Sequence, residues 1–175
     1  MEDGDYVDRL LEQWRRERPA LDVFPMGVIG RISRLSRILE RRIEDVFAAH
    51  GLQGGRFDVL AALVRAGEPN ILTPTDLYNS LLISSGAITN RIDRLEDDGL
   101  VRRSPHTSDR RSTQVGLTDV GRRRLDETLE DHLENEHKLI ASLTAEECER
   151  LAGLLRRWLK ALGDEDRPAQ AKPPG

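Results

Sequence analysis

Residues 73–118 read TPTDLYNSLLISSGAITNRIDRLEDDGLVRRSPHTSDRRSTQVGLT, and this stretch decides the fold. Thr73 is a good N-cap, Pro74 suits the first helical position, and Asp76 completes a T-x-x-D capping box. Leu77 and Leu81 then give a short helix one apolar side. Ser84 or Ser85 can cap the next helix, in which Ile88, Ile92 and Leu95 fall at i, i+4 and i+7. Ser84, Ser85, Ala87, Thr89, Asn90 and Arg94 are left for another face or for the helix start. They are small or hydrogen-bonding side chains, suited to base edges and phosphates. Gly99 ends the helix. Leu100–Arg103 and Thr113–Leu117 can then pair as strands around a loop carrying Asp109, Arg110 and Arg111. The pattern predicts a winged helix-turn-helix with a small β-hairpin wing in a mainly α chain. Arg110 and Arg111 at the wing tip would reach the minor groove.

Outward from this module the chain reads as helices. Residues 5–18 place Val7, Leu10, Leu11 and Trp14 on one face of a helix stopped by Pro19, too short to stand without docking. Residues 20–25 form a connector. A long helix follows, with Val28, Ile32, Leu35, Leu39, Ile43 and Val46, and it ends at His50-Gly51. After Gly54-Gly55 comes a helix with Phe57, Leu60, Leu63 and Val64, closed by Gly67 and Pro69. Beyond the wing, Thr118 can cap a helix carrying Leu125, Leu129, Leu133 and Ile140. Thr144 and Glu147 form a further capping box before Cys148, Leu151, Leu155, Trp158 and Leu162, a helix-packing seam. The expected organisation is N-terminal helices over 5–50, the DNA-binding module over 55–118, dimerisation helices over 119–163 and a disordered tail over 164–175. Terminal helices on both sides of the module suggest a homodimer. Two-fold symmetry would place two reading helices ~34 Å apart on a pseudo-palindrome in double-stranded DNA.

Composition agrees with a helix-rich, salt-bridged chain: 38% of residues are hydrophobic, 33% charged and only 4% aromatic. The net charge of −4 argues weakly against nucleic acid, but groove binding needs only local positive potential. No apolar run is long enough to span a bilayer, the N-terminus MEDGDYVDRL is no signal peptide, and a single cysteine excludes an internal disulfide framework. A cytoplasmic setting is expected. Cys148 lacks a partner cysteine or an activating base, so a redox role is not expected. His132 and His137 are five apart, which is not metal-ligand spacing on a helix. No nucleophile–base pair or phosphate-cradling loop is present, which leaves no enzyme reading and no cofactor.

The stretch through SDRR…VGLTDVG resembles the MarR family of bacterial winged-helix regulators. Its wing motif is matched by Asp109, Arg110, Arg111, Val115, Leu117, Thr118 and Gly121, and the likeness covers roughly residues 6–162. The resemblance implies a homodimeric repressor that leaves DNA when a small, often aromatic and acidic ligand binds. A narrower likeness is carried by WRRERPALD at 14–22, GRFDVL at 55–60 and SSGAITNRIDRL at 84–95. These are similar to the urate-responsive branch of PecS- and HucR-like regulators. That resemblance implies ligand residues at Trp14, Asp58, Arg91 and Arg103, with urate or a related purine as the effector. The wing lead-in departs from the common D-P-x-D, reading Ser104-Pro105-His106-Thr107-Ser108.

The residues themselves say something similar. Arg91 is three after Ile88 and four before Leu95, so it points inward, where a lone charge is expensive and Asp58 is a candidate partner. Other readings stay open: Trp14 as a docking anchor, Asp58–Arg91 as a structural ion pair, Arg103 as a phosphate contact. At the level of function, the alternative is an architectural or activating DNA binder with no small-molecule control.

Overall fold

The computed structural model describes residues 4–81, 84–105 and 113–163. Among the described residues, seven helices and three strands run in the order α1 (Tyr6–Glu17), α2 (Phe24–Ala49), α3 (Arg56–Arg65), β1 (Ile71–Leu72), α4 (Pro74–Leu81), α5 (Ser85–Asp97), β2 (Val101–Pro105), β3 (Thr113–Leu117), α6 (Asp119–Ile140) and α7 (Ala145–Ala161). The expected wing tip with Arg110 and Arg111 and the expected tail lie outside the described residues. Packing divides the chain into two units, Met1–Ile43 and Glu44–Gly175. The division falls within α2, where sequence reading placed boundaries near residues 50 and 118.

In the first unit, the backbone N–H groups of Asp5 and Asp8 each donate to the other's carboxylate at 3.0 Å and start α1. Val7, Leu11 and Val23 bury together. They approach α2 closely because Gly27 and Gly30 have no side chains. A Cβ there would stand 3.2 Å from Leu11 and 3.4 Å from Val7. Arg31 fixes the pairing through Asp5 at 2.9 Å and Asp8 at 2.7 Å. Pro25 belongs to the first turn of α2, not to the connector. A proline fits there because that turn's N–H groups have no helical acceptor.

The second unit is built on Leu52, Val59, Leu60, Leu63, Leu77, Ile88, Ile92, Leu95 and Val115, all shielded from water. Phe47 at the end of α2 stacks on Phe57 of α3 with centroids 4.3 Å apart, and His132 of α6 tilts against both rings. The wing is a three-stranded antiparallel sheet in the order β1-β3-β2, where sequence reading had a two-stranded hairpin. Ile71 pairs with Gly116 and Leu72 with Val115. Two residues are too few to show an alternating pattern, so β1 exists only through its partner. Thr118 caps α6 by accepting from the Gly121 N–H at 3.0 Å, while its hydroxyl donates to the Gly99 carbonyl at 2.8 Å. Gly121 sits where any Cβ would collide with the Leu100 carbonyl, so α6 starts flush against the turn that leaves α5. No described helix is long and apolar enough to cross a membrane.

Candidate functional site

Helix α4 begins with Thr73 and Asp76 in reciprocal hydrogen bonds of 3.1 Å. Two residues that lie outside the described set separate it from Ser84, whose hydroxyl oxygen accepts from the Ala87 N–H at 3.3 Å and caps α5. Ile88, Ile92 and Leu95 of α5 face the core. Ser84, Ser85, Thr89, Asn90 and Arg94 are exposed and Ala87 is half-buried. The Thr89 hydroxyl donates to the Ser85 carbonyl at 3.1 Å, which leaves it an acceptor toward solvent. Ala87, Asn90 and Arg94 follow one another at i, i+3 and i+7, a single face of the helix.

Strand β2 is fastened to α5 by Arg103. Its backbone N–H donates to Glu96 Oε1 at 2.9 Å, and its guanidinium pairs with both Glu96 and Asp93. The backbone hydrogen bond from Arg103, reinforced by its side chain, holds the Glu96 carboxyl below the usual carboxylate range. Arg103 is thus already engaged on the back of the wing.

Arg91 leaves α5 on another side. Its guanidinium lies over Gly55, where a Cβ would overlap it, and Gly55 has a left-handed φ of 75°. Among the described residues no hydrogen bond or ion pair joins Arg91 to Asp58; its charge acts on that carboxylate at longer range. Asp58 is exposed by surface area, yet the protein packed around its carboxyl raises its pKa above the ordinary 3.8. Burial is the main cause, with Arg91 and Arg65 pulling the other way. Arg91 thus rests on Gly55, turned away from the exposed face of α5, and its charge is felt by Asp58 of α3.

Trp14 belongs to the first unit. It is exposed and lines an apolar groove of about 490 Å³ with Tyr6, Leu10, Met26 and Ile29, with Arg34 and Arg37 at the edge. Arg34 stacks on the Tyr6 ring at 4.5 Å from its centroid. Sequence reading missed two charged residues that hold the loop under Arg91, Glu44 and Arg56. Their partners depend on how the loop at 53–56 folds, which no periodicity reveals. Among the described residues no group of three or more His, Cys, Asp or Glu could hold a metal ion.

Comparison with known proteins follows the same lines. A model of the MarR family matches residues 50–112. The chain is 42% identical over 156 residues to the transcriptional regulator PecS of Dickeya dadantii, covering 89% of this chain and 94% of that one. It is 31% identical over 130 residues to the transcriptional repressor YetL of Bacillus subtilis, covering 74% and 73%. Among solved structures, a cysteine-to-serine variant of MarR from E. coli complexed with operator DNA superposes with a TM-score of 0.67. Its identity is 27%, over 78% of this chain and 95% of that one.

Proposed function

The chain belongs to the MarR family of DNA-binding transcriptional regulators, and from that premise we propose that it is a cytoplasmic, homodimeric repressor of a pseudo-palindromic operator, released by urate or a related purine or aromatic anion. Repression is supported by the likeness to YetL, a repressor, and to MarR, solved on operator DNA. α5 is the reading helix, with Asn90 and Arg94 toward bases and phosphates and Ser84, Ser85, Ala87 and Thr89 along the approach. Arg110 and Arg111 are the minor-groove contacts of the wing. The capped short helix before α5 and the strands after it are the scaffold such a reader needs.

One observation carries the sensing half. A guanidinium on the reading helix is turned away from its exposed face onto Gly55, without a hydrogen-bond partner among the described residues, and its charge reaches the Asp58 carboxyl, whose pKa the surrounding protein raises. A flat anion with N–H groups suits that pair: its oxygens accept from Arg91 and its N–H groups donate to Asp58. Arg103 acts as a second cation for the effector, through its hold on α5. An effector that favours one arrangement of Arg91 shifts α5 and the DNA equilibrium by its difference in affinity for the two states. A bias of ~2 kcal/mol would weaken operator binding about thirtyfold. Trp14 is the aromatic contact by resemblance, and its fluorescence is the reporter.

The test uses an operator duplex selected from random sequence by the protein itself. Urate, xanthine, hypoxanthine and a phenolic carboxylate are titrated while DNA release and tryptophan fluorescence are followed together. Release by one of them, blunted in Arg91→Ala with operator affinity retained, is the expected result. Operator affinity that no member of the panel moves leaves a DNA binder without small-molecule control, and the sensing half fails.

A further inference from the structure

We propose that Arg56 and Glu44 are positioning residues for DNA recognition, which set the orientation of α5 from behind through the loop at 53–56 and do not touch the duplex. The inference rests on α5 being the reading helix. Arg56 is the first residue of α3, and its side chain is only 13% exposed. Its guanidinium donates to Asp98 Oδ2 at 2.8 Å, to Gln53 Oε1 at 2.9 Å and to the Gln53 carbonyl at 3.2 Å. Asp98 is the C-cap of α5. A cation at a helix N-terminus opposes that helix's dipole, and so does an anion at a C-terminus. Each charge is therefore misplaced for its own helix and well placed for the other's. Local helix stability does not account for the pair; holding α3 and α5 together does.

The same loop meets α5 a second time. Arg91, seven residues before Asp98 and so about 10 Å back along the helix axis, lies on Gly55. Behind the loop, the Gly54 N–H donates to Glu44 Oε1 at 2.7 Å, on the last turns of α2. Gly54 and Gly55 have consecutive left-handed φ values of 68° and 75°, which let the chain turn sharply between these contacts. From Glu44 to Gly54, and from Gly55 and Arg56 to Arg91 and Asp98, a set of contacts joins the end of α2 to the middle and the C-terminal end of one flank of α5.

Operator affinity and its salt dependence, measured on a duplex selected from random sequence by the wild-type protein, decide the matter. Arg56→Gln and Asp98→Asn should each weaken operator binding about tenfold. Combined, they should do no more than one alone, because they break one contact. The exchange Arg56→Asp with Asp98→Arg rebuilds the pair with each charge favourable to its own helix, so it should fold and restore affinity to within about threefold. The salt slope should stay unchanged throughout. Glu44→Ala should lower affinity in the same direction and non-additively with Arg56→Gln. A slope reduced by about one in Arg56→Gln would mean a direct phosphate contact and overturn the proposal. So would unchanged affinity, additive losses or a failed exchange. Asn90→Ala and Arg94→Ala are measured alongside. If they cost nothing, α5 is not the reader, and both the proposed function and this inference fall. If they cost affinity while Arg56→Gln and Asp98→Asn do not, only the positioning role falls.

Discussion

At the residue scale, Gly55 carries two constraints at once, a left-handed φ of 75° and the Arg91 guanidinium where a Cβ would be. Gly55→Ala should cost roughly 1–3 kcal/mol in urea denaturation and should displace Arg91. A variant of wild-type stability would show that Arg91 does not rest there. Asp58 gives a pH test. Its raised pKa means that the folded chain holds the proton more tightly than the unfolded chain does. The stability this group contributes is therefore complete below the ordinary value of 3.8 and lost as pH rises through the folded value. Asp58→Asn should be more stable than wild type at pH 7, with the gap closing below about pH 4. A less stable Asn variant at pH 7 would make Asp58 a structural ion-pair member and not a carboxyl that its surroundings penalise when charged. The inward bias of Arg91 was legible from its spacing to Ile88 and Leu95, which needs only helical periodicity. That Gly55 and not Asp58 would receive the guanidinium was not, because the loop at 53–56 takes its shape from Glu44 and Arg56, both remote in sequence from Arg91.

At the element scale, what could be read in advance was what is local. The Thr73–Asp76 and Thr144–Glu147 boxes close within a single turn, so four residues suffice to specify each. The hold of β2 on α5 is different. Arg103 reaches back to Glu96 and Asp93 across the turn at Gly99, and only the bend brings them together. Because this contact depresses the Glu96 pKa, its stabilisation is present above the ordinary 4.5 and lost as pH falls through the lower folded value. Wild-type stability should therefore fall more steeply below about pH 4.5 than that of Arg103→Ala, with Glu96→Gln reproducing the variant's shallower profile. Operator affinity should drop severalfold in Arg103→Ala, since a wing strand freed from α5 no longer presents its loop at a fixed angle. Identical acid profiles would mean that the pair contributes nothing in solution. The join between α5, the wing and α6 is tighter still. Gly121→Ala would drive a Cβ into the Leu100 carbonyl, and melting should show a loss of more than 2 kcal/mol, about the scale of an overpacked backbone contact.

For the whole molecule, the apolar seam of α7 was visible in the spacing of Cys148, Leu151, Leu155, Trp158 and Leu162, and the described residues of the chain leave it open. The division after Ile43 was hidden for the opposite reason: the apolar repeat of α2 runs through it unbroken. In the chain by itself α7 buries no residue, and Leu151, Leu154, Leu155, Leu159 and Leu162 stand exposed together with Leu129, Leu133, Ile140 and Leu143. So many exposed leucines on two helices exceed the scattered apolar residues a monomer tolerates, and in the proposed homodimer a second copy covers them. Combining Leu155→Asp with Leu159→Asp places carboxylates among these exposed leucines while leaving the core around Leu60 and Ile92 untouched. Sedimentation should then show a monomer with wild-type helix content. Each reading helix would bind only its own half-site, and the gain from tethering two of them on one duplex, on the order of a hundredfold, would vanish. A double variant that stays dimeric would put the interface on another face. A monomer that grips the selected operator as tightly as wild type would mean that one copy reads the whole site, and the pseudo-palindrome would no longer be required.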